Sequence, residues 1–360
     1  MKTTALIYYE NGFNKSDGSL VHCLVQYSQK YNIVGVLDST KTGQDVGQLL
    51  DGISNGIPIY KSTEYAIKRL NARPECFIYG VSFSGTKVEE KERHIFFEAM
   101  KYGMHIINGT SQFFTDDKGF VDYAKKYQVT ITDVTKPVPR DQLHNFTGRI
   151  QGMSTPVIAI LGTDSSIGKC LVAQKLIESF KEEGLLAGFV ATGRTGLLLG
   201  AKHGVAIDQL TSEFAVGEIE HAILEADEGQ FYDLIIIEGQ APLSHPSATS
   251  TFAILKGALP DAIIVQHAPK RRHYDTHPDI SIQSLQAEID FIEESAGPYV
   301  MAITINQENM LEKEIDDVIE EYEEVFQIPV TDVMTHGCDK LINQICQLFP
   351  DLQHLRNSII

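Results

Sequence analysis

The stretch Val157-Ile-Ala-Ile-Leu-Gly162-Thr-Asp-Ser-Ser-Ile-Gly168-Lys169-Cys170 decides how the chain folds. Val157–Leu161 is a continuous apolar run, as expected of a strand covered on both faces, not one alternating between core and water. It enters Gly162, passes five residues, reaches Gly168-Lys169, and leaves into the helical pattern of Lys169–Glu183. Strand, glycine loop, lysine and helix in that order make a phosphate cradle. The glycines let the backbone curl so that successive N–H groups face one point; the helix N-terminus adds partial positive charge, and the lysine a full one. The expected cradle comprises Gly162, Thr163, Asp164, Ser165, Ser166, Ile167, Gly168, Lys169 and Cys170. Two features depart from the usual loop. It is one residue longer than Gly-x4-Gly-Lys, and Cys170 stands where a Ser or Thr would ligate Mg²⁺, an ion that prefers hard oxygen donors.

Outward from this segment, further apolar runs alternate with helical patterns. Downstream strands are expected at Gly188–Ala191, Leu234–Ile237, Ala262–Gln266 and Tyr299–Ile305, with a short segment at Ile328–Asp332. Helices are expected over Ser212–Asp227, Ile282–Ser295, Lys313–Val325 and Lys340–Phe349. Upstream, Ala5–Tyr9, Ile33–Leu37, Cys76–Val81 and His105–Asn108 read as strands, and Leu20–Lys30, Glu64–Leu70 and Lys87–Tyr102 as helices. From about Thr130 to Pro156 the pattern lapses into a Pro- and Gly-punctuated polar stretch. The fold class is α/β. A Rossmann-like domain (1–135) and a linker (136–155) precede a P-loop NTPase-like parallel-sheet domain (156–360).

The 360 residues include 48 acidic against 30 basic ones, for a formal charge of −18. Nucleic acid and anionic membranes are therefore not expected partners; a small molecule is, since local cations and N–H groups act over short distances. The five cysteines are scattered and never form Cys-x-x-Cys, which argues against a disulfide framework or zinc site and for a reducing, cytoplasmic setting. Two sheets in tandem are compatible with a homo-oligomer.

Several residues fall at the carboxyl ends of expected strands, where open α/β sheets bind ligands. Asp233-Leu-Ile-Ile-Ile-Glu238 delivers a carboxylate beside the loop, so Asp164 and Glu238 are the candidate metal ligands if a Mg-nucleotide binds. In Ala191-Thr-Gly-Arg194-Thr195-Gly196, Arg194 is either a carboxylate or phosphate clamp or a surface Arg in a turn. Asp208 either holds a ligand amine or a metal-bound water, or caps the helix from Ser212 or closes a turn. Gln240 and His245 follow Glu238 by two and seven residues on one loop. His245 suits proton transfer, with a backbone-bonded structural His as the alternative. Lys270-Arg271-Arg272 follows another strand and either reaches a ligand or forms a solvated charged loop. The N-terminal half lacks Gly-x-Gly-x-x-Gly after its first strand, so NAD is not expected despite Asp38 at the end of strand two. Gly80-Val-Ser-Phe-Ser-Gly85 is a candidate ligand loop.

Gly162-Thr-Asp-x-x-x-Gly-Lys with Glu238-Gly239 resembles the dethiobiotin-synthetase branch of P-loop proteins. Ala191-Thr-Gly-Arg-Thr-Gly196, Gly204-Val-Ala-Ile-Asp208, Glu238-Gly-Gln240, His245-Pro246 and Asp332 resemble the DUF1611 family over nearly the whole chain. That family carries an older label of NAD-dependent epimerase/dehydratase and includes D-glutamate N-acetyltransferases. The resemblance implies an acyl-CoA-dependent N-acyltransferase for an acidic amino acid such as D-glutamate, with acetyl-CoA as the phosphate-bearing carrier. Under it His245 or Glu238 is the base, and Arg194, Thr195, Asp208, Gln240 and Arg271 face the substrate. The alternatives are an ATP- and Mg²⁺-dependent ligase or kinase of the dethiobiotin-synthetase type, and a non-catalytic nucleotide-binding regulator.

Overall fold

A computed structural model describes residues 2–14, 19–50, 52–80, 88, 90–297 and 299–359. The chain divides into two compact units, Met1–Pro137 with Leu197–Ala201, and Val138–Gly196 with Lys202–Ile360.

The first unit holds β1 (Thr3–Tyr8), β2 (Tyr31–Leu37), β3 (Ile59–Tyr60), β4 (Cys76–Tyr79), β5 (His105–Asn108) and β6 (Ile131–Asp133). All pair in parallel in the order β3-β2-β1-β4-β5-β6. This is the Rossmann order, with the direction of winding reversing between β1 and β4. β6 lies inside the stretch where the sequence pattern lapses; three residues, none fully buried, leave no periodic trace. Asp38 is fully buried after β2 and accepts from Thr40 N (2.9 Å) and Thr40 Oγ1 (2.7 Å), so it closes a turn. The candidate loop Gly80–Gly85 lies, beyond Gly80, outside the described residues.

The second unit contains β7 (Val157–Gly162), β8 (Ala187–Ala191), β9 (His203–Gly204), β10 (Leu234–Glu238), β11 (Ala262–His267), β14 (Val300–Ile305) and β15 (Val330–Thr331), separated by a hairpin of β12 (His273–Tyr274) and β13 (His277–Ser281). The sheet runs β15-β14-β11-β7-β10-β8-β9. Alternate residues of the central strands explain their unbroken apolar runs. Ile158, Ile160, Ile236 and Ile264 pack with Val172, Leu176 and Phe180 of the helix Lys169–Glu182. Ala159, Leu161, Ile235 and Ile237 pack on the other side with Ile219 and Ile223 of the helix Ser212–Gly229. From β7 the chain passes beyond β10 to β8, whereas from β10 it returns across β7 to β11. The resulting crevice at the carboxyl end of β7 is where such sheets bind ligands.

Residues 136–155 contain only short 3₁₀ turns, but they are not loose. Backbone N–H groups of His144 and Thr147 donate to the largely buried carboxylates of Glu218 and Glu220, and Ile150 enters the core. The helices Ser250–Ala258 and Pro350–Ile359 and the β12–β13 hairpin add to the elements read from sequence. The helix read as Ile282–Ser295 starts at Leu285, capped by Ser284 accepting from Ala287 N. Among the described residues no helix is long and apolar enough to cross a membrane, and the five cysteines are all buried and none is in a disulfide.

Candidate functional site

The glycine loop closes β7 and opens the helix Lys169–Glu182, whose N-cap Gly168 has φ +94, in the left-handed region that favours glycine. β7 pairs with β10 so that Ile160 faces Glu238, and with β11 so that Gly162 faces Gln266. The loop is thereby flanked by a carboxylate on one side and an amide on the other. Gln266 Nε2 donates to the Ile167 carbonyl (3.0 Å), as does Asn306 Nδ2 (2.9 Å), and Thr304 Oγ1 donates to Gln266 Oε1. Thr163 N donates to Gln266 O (3.1 Å), and Thr163 Oγ1 lies 2.8 Å from His267 Nδ1.

Lys169 is 6% exposed and its Nζ donates to the Asp164 carbonyl (2.6 Å). Burial pulls its pKa down to about 8, against the opposing pull of Asp164 and Glu238. Glu238 is 5% exposed, and burial pushes its carboxyl up to about 7, restrained by Lys169, by N–H groups of Thr192 and Gly193 and by the Cys170 thiol, which donate to it. Its Oε2 has no hydrogen-bond partner. Cys170 therefore faces Glu238, one of the two carboxylates read as candidate metal ligands. At pH 7 the Lys169 ammonium thus stays mostly charged, while the Glu238 carboxyl beside it sits close to half-titration.

Asp164 is fully buried and spoken for. Oδ1 accepts from Ser165 N (2.7 Å), and Oδ2 from Arg271 Nη1 (3.0 Å) and Asp275 N (2.9 Å). Arg271 also donates to Ser165 O (2.8 Å) and, through Nη2, to Glu308. It ties the loop to the β12–β13 hairpin and to the turn after β14. A substrate carboxylate would have to displace a carboxylate already bound, which makes Arg271 a strut in this arrangement. The donor set also fits Mg²⁺ poorly. Asp164 offers both oxygens to N–H groups, leaving Glu238 with one bare oxygen and a soft sulfur beside it.

The loop after β10 carries Gln240 and His245. Gln240 Nε2 donates to Thr192 Oγ1 (2.9 Å), whose hydroxyl donates to Glu238 O (2.7 Å), bringing the 192–196 segment and the 238–240 segment together. Arg194 and Thr195 open the helix Arg194–Leu199, both partly exposed. Asp208 lies in the 3₁₀ turn Ile207–Gln209, which hangs from Thr192 by Ile207 N (3.2 Å). His245 Nε2 lies 3.0 Å from Thr276 Oγ1, and Nδ1 accepts from Ser247 N (3.3 Å). Burial lowers its pKa, outweighing the charge of Asp164, so the imidazole is a neutral base at physiological pH.

Sequence reasoning missed Gln266, Thr304 and Asn306, lone polar residues at strand ends. It also missed Glu288, 1% exposed, which accepts from Leu243 N (2.7 Å) and Ser244 N (3.3 Å) and so fixes the loop of His245. A signal existed: Glu288 falls on the buried face with Leu285, Ile289 and Ile292.

The chain is similar to known proteins along most of its length. It is 28% identical to a D-glutamate N-acetyltransferase of Pseudoalteromonas sp over 276 residues, 75% of this chain and 81% of the relative. It is 27% identical to a D-glutamate N-acetyltransferase of Tritonibacter scottomollicae over 307 residues, 83% and 89% of the two chains. The crystal structure of a DUF1611 family protein from Anabaena variabilis superposes with a TM-score of 0.87 at 27% identity, covering 96% of this chain and all of that one. Residues 39–137 match the domain of unknown function DUF1611_N, described as Rossmann-like, and residues 144–342 match DUF1611_C, described as a P-loop domain. The chain belongs to the DUF1611 family.

Proposed function

We propose that this protein is an acyl-CoA-dependent N-acyltransferase acting in the cytoplasm on an acidic amino acid such as D-glutamate. The observation that carries the reading is the bare, buried Glu238 Oε2, on a carboxyl held near pKa 7 beside a phosphate cradle. An amino acid arrives as an ammonium, and nitrogen attacks a thioester only after a proton leaves. A carboxylate with one unengaged oxygen, desolvated enough to hold that proton, is suited to take it. His245, kept neutral by burial, is the second acceptor on the same sheet edge. Acetyl-CoA, when bound, supplies the activated carbonyl and a thiolate leaving group.

The loop N–H groups and Lys169 hold the carrier's diphosphate and perform no phosphoryl chemistry, which accommodates Cys170 at the position where a metal ligand is usual. Arg194 and Thr195, which open the helix after β8, are the donors assigned to the substrate carboxylates, while Arg271 holds Asp164 and Glu308. The two curated relatives named D-glutamate N-acetyltransferase support the same substrate class.

The test is direct. Purified protein with acetyl-CoA and D-glutamate should release free thiol and form N-acetylglutamate by mass, with L-glutamate and D-aspartate run alongside. Lys169→Ala should remove the activity. Thermal stabilisation by ATP·Mg²⁺ with none by acetyl-CoA would defeat the reading in favour of the ligase or kinase alternative.

A further inference from the structure

A cavity of about 450 Å³ lies beside the first half of the glycine loop and takes no part in the chemistry above. His267, Arg271, Arg272, Leu285, Tyr322 and Phe326 line it. Two of these touch the loop: His267 at Thr163, and Arg271 at Asp164 and Ser165. One wall is aromatic. Tyr322 and Phe326 stand one helical turn apart, edge to face at 5.7 Å, and Tyr322 lies 5.9 Å from the His267 ring. Arg272 overhangs the space, close enough to act electrostatically on both His267 and Tyr322.

The three consecutive basic residues at this corner have different fates. Lys270 pairs with Glu314 (3.0 Å) and Arg271 with Asp164 and Glu308, whereas Arg272 has no carboxylate partner among the described residues. On a chain with 48 acidic residues, an unpaired guanidinium at the mouth of an aromatic-walled cavity is a group awaiting an anion. The N-terminus of the helix Leu285–Ala296 opens onto the same space and favours the same sign of charge.

Resting on the acyl-CoA reading, we propose that this cavity receives the nucleotide end of the carrier. Its purine lies against the Tyr322–Phe326 wall, and its 3′-phosphate meets Arg272. Flat aromatic faces hold any base by stacking, and a guanidinium fork suits a phosphate monoester. The diphosphate then stays on the adjoining loop.

The test compares acetyl-CoA with its analogue lacking the 3′-phosphate, acetyl-dephospho-CoA, by calorimetry on the full chain. Wild type should bind acetyl-CoA about tenfold more tightly, the loss expected for one charge-assisted contact. Arg272→Gln, at an exposed position, should abolish that difference by weakening acetyl-CoA alone. Tyr322→Leu should weaken both ligands, each by about tenfold. Equal affinities in wild type, or an Arg272→Gln protein that still discriminates, overturns the assignment. If neither ligand binds wild type at all, the acyl-CoA reading itself fails, a separate outcome.

Discussion

Lys169→Met should make the unliganded protein more stable while removing its ability to hold a phosphate ligand. Burial lowers the Lys169 pKa from the ordinary 10.5 to about 8. The unfolded chain therefore binds that proton more tightly than the folded one, and a charged Lys169 costs stability at every pH below about 8. The difference corresponds to about 3 kcal/mol at pH 7. The penalty fades as pH rises from about 8 to 10.5, where the unfolded chain loses its proton too. Methionine retains the apolar stem but leaves the Asp164 carbonyl without its 2.6 Å donor, a loss of about 1 kcal/mol. The net gain near pH 7 is about 2 kcal/mol, which in a unit of this size raises Tm by roughly 4–8 °C. Thermal denaturation of both proteins at pH 7 and pH 10 reads the effect, which should shrink at the higher pH. Acetyl-CoA should raise the Tm of wild type and not that of the variant. A variant less stable than wild type at pH 7 would refute the view that this ammonium is held at a cost.

Three further outcomes follow from the same geometry. Glu238 has its folded pKa raised to about 7, so its burial penalty is absent below about pH 4.5 and complete above 7; Glu238→Gln should gain up to about 3 kcal/mol at pH 8, nothing at pH 4.5, and lose about 10²–10⁴ in acyl transfer rate. Equal stability changes at the two pH values would contradict it. Arg271→Gln leaves the fully buried Asp164 without its cation and should lower stability by about 3 kcal/mol, with faster proteolytic cleavage in the β12–β13 hairpin as the local sign. Gly217→Ala places a Cβ 2.3 Å from the His144 carbonyl, so it should cost about 3 kcal/mol and expose residues 140–150 to protease, while a merely flexible connector there would show no change.

The parts of the molecule legible in the sequence are those with a period or a punctuated loop. Val157–Leu161 and Leu234–Ile237 announce buried strands because both faces of each are covered, and Gly162 to Lys169 announces the cradle between them. Ile59–Tyr60 and His203–Gly204 are strands of two residues, shorter than any pattern can register. The β12–β13 hairpin is polar and held by Asp164, 111 residues away from Asp275. The role of Arg271 was equally invisible, since its partners Asp164 and Glu308 are brought to it only by the pairing of β7, β11 and β14. His245 could be placed on the right loop, but not its anchor Glu288, because a carboxylate among Leu285, Ile289 and Ile292 reads as an interruption of an apolar face until its two N–H donors are known.

The doubly held carbonyl of Ile167 has a consequence for how this site is controlled. A trans peptide is rigid, so fixing the oxygen toward Gln266 and Asn306 fixes the N–H of Gly168 in the opposite direction. Reversing that plane would present an acceptor in place of a donor and break two amide contacts at once. This peptide of the loop therefore keeps one orientation, and turning it over is not a route to changing the loop's polarity. Under the proposed function, exchange of the carrier's phosphates then depends on what surrounds the loop, where the hairpin is tied to Asp164 through Asp275 and Arg271.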